Sequence, residues 1–102
     1  MKGIINSDEK GYCYRCGRAC KTEKHHIFGG ANRNLSEKYG LTVHLCHACH
    51  NEPPNGAHFS KDTAEWLHQV GQQAFEVNRH KEGATWEEAR AEFLRIFGKN
   101  YL

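Results

Sequence analysis

Two Cys-x2-Cys pairs, Cys13/Cys16 and Cys46/Cys49, constrain this chain more than any other feature. Each pair presents two sulfurs from one tight turn, and two such turns complete a tetrahedral four-thiolate site around Zn²⁺. Gly17 follows the first pair, where a residue without a Cβ lets the backbone turn beneath the metal. The 29 residues between Cys16 and Cys46 exceed the usual gap of about 15–20. Closing the site therefore pinches residues 17–45 into one loop. Cys20 is left over and reads as a packed or odd thiol, and His47, inside the second pair, is the alternative to one thiolate.

A chain of 102 residues with a mean hydropathy of −0.81 buries a limited core, so a structural metal is the expected compensation. Five cysteines fall below the roughly 8–10% that marks a secreted disulfide scaffold, which predicts a reducing, cytoplasmic setting. Residues 1–10 show no apolar signal-peptide core, and no apolar run approaches the roughly 18 residues of a membrane span. Residues 1–59 carry eight Lys and Arg against five Asp and Glu, whereas residues 60–102 carry six against seven. The basic first half permits a nucleic-acid partner without demanding one.

The pattern predicts a single α+β domain over residues 1–102, with a metal-built core at 10–59 and a helical part at 60–102. His25 to Phe28 reads as a strand end, 31–34 as a polar loop, 36–39 as one helical turn stopped by Gly40, and 41–45 as a second strand. Pro53-Pro54-Asn55-Gly56 forms a turn. A helix follows over about 60–79, with Ala64, Leu67, Val70, Ala74 and Val77 on its apolar stripe. Thr85 and Glu88 form a capping box for a last helix, whose Ala89, Phe93, Ile96 and Phe97 face inward and which ends at Gly98. Trp66 and Trp86 are expected to pack.

Six of the eight histidines lie between positions 25 and 58. A closed four-cysteine site leaves His25, His26, His50 and His58 outside it, and neutral imidazoles suit a second divalent ion. The His25-His26 pair, the Gly29-Gly30 turn and a strand running into Cys46-x2-Cys49-His50 come together once the knuckles close.

In these features the segment from Cys13 to about His58 resembles the HNH endonuclease family, whose ββα-metal motif is often built on a two-knuckle zinc scaffold. The stretch His25-His26-Ile27-Phe28-Gly29-Gly30-Ala31-Asn32-Arg33, with Gly56-Ala57-His58-Phe59 and the terminal Phe97 to Leu102, is similar to small phage- and prophage-borne members. The resemblance implies hydrolysis of DNA phosphodiester bonds. His26 would be the general base, and His25 with His50, His58 or both would hold a catalytic ion such as Mg²⁺ or Mn²⁺. Lys24, Arg33 and Arg18 are the candidate phosphate contacts. A phage or host protein partner is a further possibility. The chain departs from the family pattern in two places. Leu41 stands where an asparagine usually braces the loop between the strands, so that either Asn32 or Asn34 substitutes or the brace is absent, and Pro53-Pro54 interrupt the helix expected from His50. The competing function is a non-catalytic zinc module that binds nucleic acid or a protein.

Overall fold

The computed structural model describes residues 4–5 and 11–102. Apart from Ile4 and Ile5, the segment read above for a signal peptide lies outside the described residues. Strand β1 (Glu23–His26) pairs antiparallel with β2 (Thr42–Leu45), in the register Glu23 to Leu45, Lys24 to His44, His25 to Val43 and His26 to Thr42. Among the described residues four α-helices accompany this sheet: α1 (Arg33–Tyr39), α2 (His47–Asn51), α3 (Lys61–Lys81) and α4 (Trp86–Phe97). The fold is a small α+β arrangement, as expected. Among the described residues no helix is long and apolar enough to cross a membrane.

The connection between the strands is more helical than its polar composition suggested. A 3-10 turn at Gly30–Asn32 leads directly into α1, which starts at Arg33, inside the expected loop. Gly40 ends α1 in the left-handed region at φ 70°, a conformation that costs little without a Cβ. Ser36 is fully buried on α1 and ties this segment to the end of β1: Phe28 N–H donates to Ser36 Oγ at 2.9 Å, and the hydroxyl donates to Phe28 O at 2.8 Å. Leu41 N–H also donates to Ser36 O at 2.8 Å.

Helix α3 begins at the predicted place, where Ser60 Oγ accepts from Thr63 N–H, but its buried face is rotated from the expected stripe. Thr63, Leu67, Gly71, Gln72, Phe75 and Glu76 face inward, while Val77 is exposed. Tertiary partners explain the rotation. Gly71 lies so close to β1's continuation that a Cβ there would stand 2.8 Å from the Phe28 ring and 2.9 Å from the Ile27 methyl. Gln72 donates to Glu76 and Asn100 and accepts from Tyr101 N–H, and Glu76 pairs with Arg90 of α4 at 2.8 Å. Satisfied in this way, polar side chains occupy core positions without the usual desolvation penalty.

Helix α4 has the predicted capping box at Thr85 and Glu88 and buries Ala89, Phe93 and Phe97. With Phe28, Leu67 and Phe75 these rings form one core against Leu41, Val43 and Leu45. The tryptophans depart from expectation. Trp66 is 39% and Trp86 51% exposed, Trp66 lying against Tyr14 and Trp86 stacked on His80 at 3.9 Å. Both sit on faces of their helices that no other element covers fully.

Candidate metal centres and the histidine cleft

The four cysteines of the two knuckles converge. Tyr12 and Ala19 close the first turn through a β-bridge, and Gly17 sits at its tip with φ 74°, its N–H donating to Cys13 O at 2.8 Å. In the second, Cys46 caps α2: its Sγ accepts from Cys49 N–H at 3.4 Å, placing Cys49 one turn along the helix. The sulfurs of Cys13, Cys16, Cys46 and Cys49 all lie within 4.8 Å of one another, Cys16 and Cys46 at 3.9 Å. Four thiolates about 2.3 Å from one tetrahedral ion would stand about 3.8 Å apart, so the donor set fits a metal such as zinc.

The electrostatics point the same way. Burial raises the Cys13 thiol, but N–H groups of Cys16, Cys46 and Arg15 outweigh it and bring it down to about 6. Cys49 is pushed up to about 12, by burial first and by the neighbouring Cys46 and Cys13 sulfurs, although Arg15 Nη1 donates to it at 3.6 Å. Sulfurs this close cannot all ionise unless a cation joins them. Cys20 stays outside the cluster, half-buried, and so does His47, whose side chain is largely exposed.

A second cluster gathers His25, His50 and His58, whose ligand nitrogens also lie within 4.8 Å of one another. Three elements supply them. His25 comes from β1, His50 from the last turn of α2, and His58 from a loop folded back onto α2 by the Ala57 N–H to Cys49 O and His58 N–H to His50 O bonds. Gly56 makes that return possible, because a Cβ there would meet the Glu52 carbonyl at 2.5 Å. The sequence left open whether His50, His58 or both stand with His25, and the structure brings both beside it, His58 following the Pro53-Pro54 turn.

The His25 ring stands roughly perpendicular to those of His50 and His58, at centroid distances of 5.1 and 5.3 Å, and His50 and His58 are tilted to each other at 4.8 Å. Nε2 of His50 and Nε2 of His58 are 3.1 Å apart. Two imidazole nitrogens about 2.0–2.1 Å from a shared ion would stand about 2.8–3.4 Å apart, so these residues fit a divalent metal. Glu23 sets the His50 tautomer. Its Oε1 accepts from Nδ1 at 2.9 Å, which leaves the Nε2 lone pair facing His58 and His25. The other oxygen accepts from His47 Nδ1 at 3.1 Å, and these bonds, His50's first, hold the Glu23 carboxyl below its usual range. His25 is buried, and burial followed by the neighbouring His50 and His58 lowers it to about 4, so it stays neutral and able to ligate near neutral pH.

No family model, curated protein or solved structure matches this chain.

His26 lines the same cleft as the cluster, a space of about 340 Å³ bounded by Lys24, His25, His26, Gly29, Gly30, Arg33, His50 and His58. Strand alternation separates the two adjacent histidines: Glu23 and His25 reach His50 on one side of β1, while Lys24 and His26 reach Glu37 of α1 on the other. Glu37 Oε1 accepts from Lys24 Nζ at 2.9 Å, and its Oε2 lies 2.8 Å from His26 Nε2. Lys24 first and His26 second hold the Glu37 carboxyl below its usual range.

Of the predicted phosphate contacts, Lys24 and Arg33 line the cleft. Arg18 is placed beside the cysteine cluster instead, where the Cys46 thiolate and a hydrogen bond with Cys20 raise its guanidinium above the ordinary value. Neither Asn32 nor Asn34 braces the interstrand loop with its side chain, which leaves the alternative of no asparagine brace. Asn34 is exposed and Asn32 reaches Phe97 O at 3.4 Å, whereas Ser36 ties the loop to Phe28. Sequence reading missed Ser36, Glu23 and Glu37. Glu23 carried a faint signal, two residues before His25 on the same strand face, and Glu37 carried none.

Proposed function

We propose that the chain is a metal-dependent endonuclease of the HNH type that hydrolyses DNA phosphodiester bonds, with His26 as general base. The observation that carries this reading is the division of the His25-His26 pair. One ring joins a three-imidazole cluster and the next, in the same cleft, is held by a carboxylate at Nε2, with Nδ1 met only by the exposed Arg33 Nε at 3.5 Å. A module that only binds has no use for that second ring.

Glu37 accepts from Nε2–H, because an ionised carboxylate has no proton to donate, so the lone pair of neutral His26 is on Nδ1. Nδ1 takes the proton from a water that attacks the scissile phosphorus, work suited to an imidazole near neutral pH. Lys24 and Arg33 contribute positive charge at the cleft for the phosphate oxygens. A divalent ion such as Mg²⁺ or Mn²⁺ on His25, His50 and His58 would supply Lewis-acid neutralisation of charge at the phosphate and the leaving oxygen. The four-cysteine cluster, zinc-filled, holds β2 and α2 in the positions from which His50 reaches the cleft.

The test is nicking of supercoiled plasmid by zinc-loaded protein, with and without added Mg²⁺ or Mn²⁺, for wild type and His26→Ala. Metal-dependent nicking that His26→Ala loses by about 10²–10⁴-fold supports the reading. No nicking with any divalent ion, or equal cutting by His26→Ala, overturns it. Retention of DNA without cutting would favour the non-catalytic zinc module.

A further inference from the structure

Helix α1 meets His26 twice. Glu37 Oε2 lies 2.8 Å from Nε2, and Arg33 Nε points at Nδ1 from 3.5 Å. The two residues are four apart on α1 and so share one of its faces, a turn from each other. A carboxylate accepts and a guanidinium only donates, so both contacts select the same tautomer, with the proton on Nε2 and the lone pair on Nδ1.

We propose that Glu37 is a positioning residue for His26, and that Arg33 covers the base nitrogen until a phosphodiester draws its guanidinium away. The inference rests on His26 being the general base of the function proposed above. A water to be deprotonated must come within about 2.6–3.2 Å of Nδ1, in the space toward which Arg33 Nε is directed. A neutral imidazole at 3.5 Å is a weak partner for a guanidinium, and a phosphate, anionic and matched to its forked donors, is a strong one. Arg33 is exposed at the cleft edge beside Gly29 and Gly30, so its side chain has room to swing from the ring to the incoming strand. Entry of DNA then does two things with one residue: it gains a phosphate contact and it uncovers the base. Glu37 keeps the ring in place meanwhile, itself held by Lys24, and α1 as a whole is anchored by the Ser36 bonds to Phe28, two residues past His26.

Imidazole nitrogen resonances read this directly, because a protonated nitrogen, a bonded lone pair and a free lone pair differ in ¹⁵N shift. The sample is zinc-loaded protein at about pH 8, where an ordinary imidazole is neutral, with no other divalent ion so that a short DNA duplex stays intact. Wild type is expected to show His26 as the Nε2–H tautomer, its Nδ1 resonance moving toward the free-lone-pair position as duplex is added. Arg33→Ala should start at that position and stay there. In the Arg33→Ala background, where no guanidinium selects the tautomer, Glu37→Ala should give a mixture of tautomers, and Glu37→Gln, whose amide oxygen still accepts, should keep the single one. A wild-type Nδ1 resonance that ignores DNA or coincides with that of Arg33→Ala overturns the role of Arg33. An unchanged single tautomer in the Arg33→Ala, Glu37→Ala double variant overturns that of Glu37. The spectra need no turnover, so a protein that nicks plasmid while Nδ1 ignores DNA loses this inference alone. One that never nicks loses the proposed function, and an Nδ1 that still responds to DNA then reports release of an Arg33 contact and not the uncovering of a base.

Discussion

Ser36 holds Phe28 by both of its backbone groups, accepting from its N–H at 2.9 Å and donating to its carbonyl at 2.8 Å. One buried hydroxyl thereby joins the helix that carries Glu37 to the strand end that carries His26. Ser36→Ala leaves Phe28 N–H buried without that acceptor, and the expected cost is about 1–3 kcal/mol in urea unfolding of the zinc-loaded protein. Ser36→Cys, which keeps the size with a weak donor, should recover only part of it.

Glu23 makes a different kind of contribution, since it touches a proposed ligand and not the ion. Glu23→Gln removes the charge, and Glu23→Ala the whole orienting bond to His50 Nδ1. Loss of such a partner typically weakens metal binding about 10–100-fold. Mn²⁺ or Co²⁺ titration of zinc-loaded protein should place Glu23→Ala in that range, with the four-cysteine site unaffected. Unchanged affinity would mean that the Glu23 to His50 bond does not tune the cluster.

The cysteine cluster should be inseparable from folding. Cys46 is a candidate ligand, caps α2 and is buried in the core. Cys46→Ala is expected to abolish the cooperative thermal transition, as is chelation of zinc from wild type, because metal affinity in so small a core is folding free energy. A Cys46→Ala protein that melts cooperatively without zinc would contradict this.

Gly71 offers a packing test away from either cluster. An added methyl would meet the Phe28 ring at 2.8 Å and the Ile27 side chain at 2.9 Å, both buried. Gly71→Ala gains helix propensity yet should destabilise by about 1–3 kcal/mol, because the strand end must move aside. Chemical denaturation decides the sign.

Acid should destabilise the fold through histidines kept neutral. Burial holds His68 below its ordinary value, with Lys99 adding to the effect, where its ring rests on Phe28 and Tyr101. In the unfolded chain it takes up a proton near pH about 6.5. The unfolded state therefore binds more protons below that pH, so the stability present above it is lost as pH falls through the lower folded value. Tm should drop between about pH 7.5 and 5.5, and His68→Phe should drop less. Equal slopes would remove His68 from the account.

Local chemistry was legible in the sequence and tertiary choice was not. The Cys-x2-Cys turns, the Thr85 capping box and the Gly40 stop are each specified within about one turn of chain, and the structure has all three. The buried face of α3 is set by what it meets. Gly71 lies under Phe28, and Gln72 and Glu76 are answered by Asn100, Tyr101 and Arg90, so a stripe drawn from hydropathy alone was rotated. The histidines of the cleft were named because their residue type is rare enough to notice. Their carboxylate partners were not, since a glutamate on a surface strand or helix looks like any other until the face it shares is known.

The sheet register carries a consequence for how this site could change. His25 and His26 differ in role because β1 turns one toward His50 and the other toward Glu37, and that assignment follows from parity along four residues. Inserting or deleting a single residue between Cys20 and Glu23 could be absorbed in the preceding loop, but a one-residue slip of β1 against β2 would exchange the two rings wholesale. Point substitutions can adjust either ring's surroundings gradually. A change of register has no intermediate, which makes the division of labour between two identical neighbours a digital property of the strand.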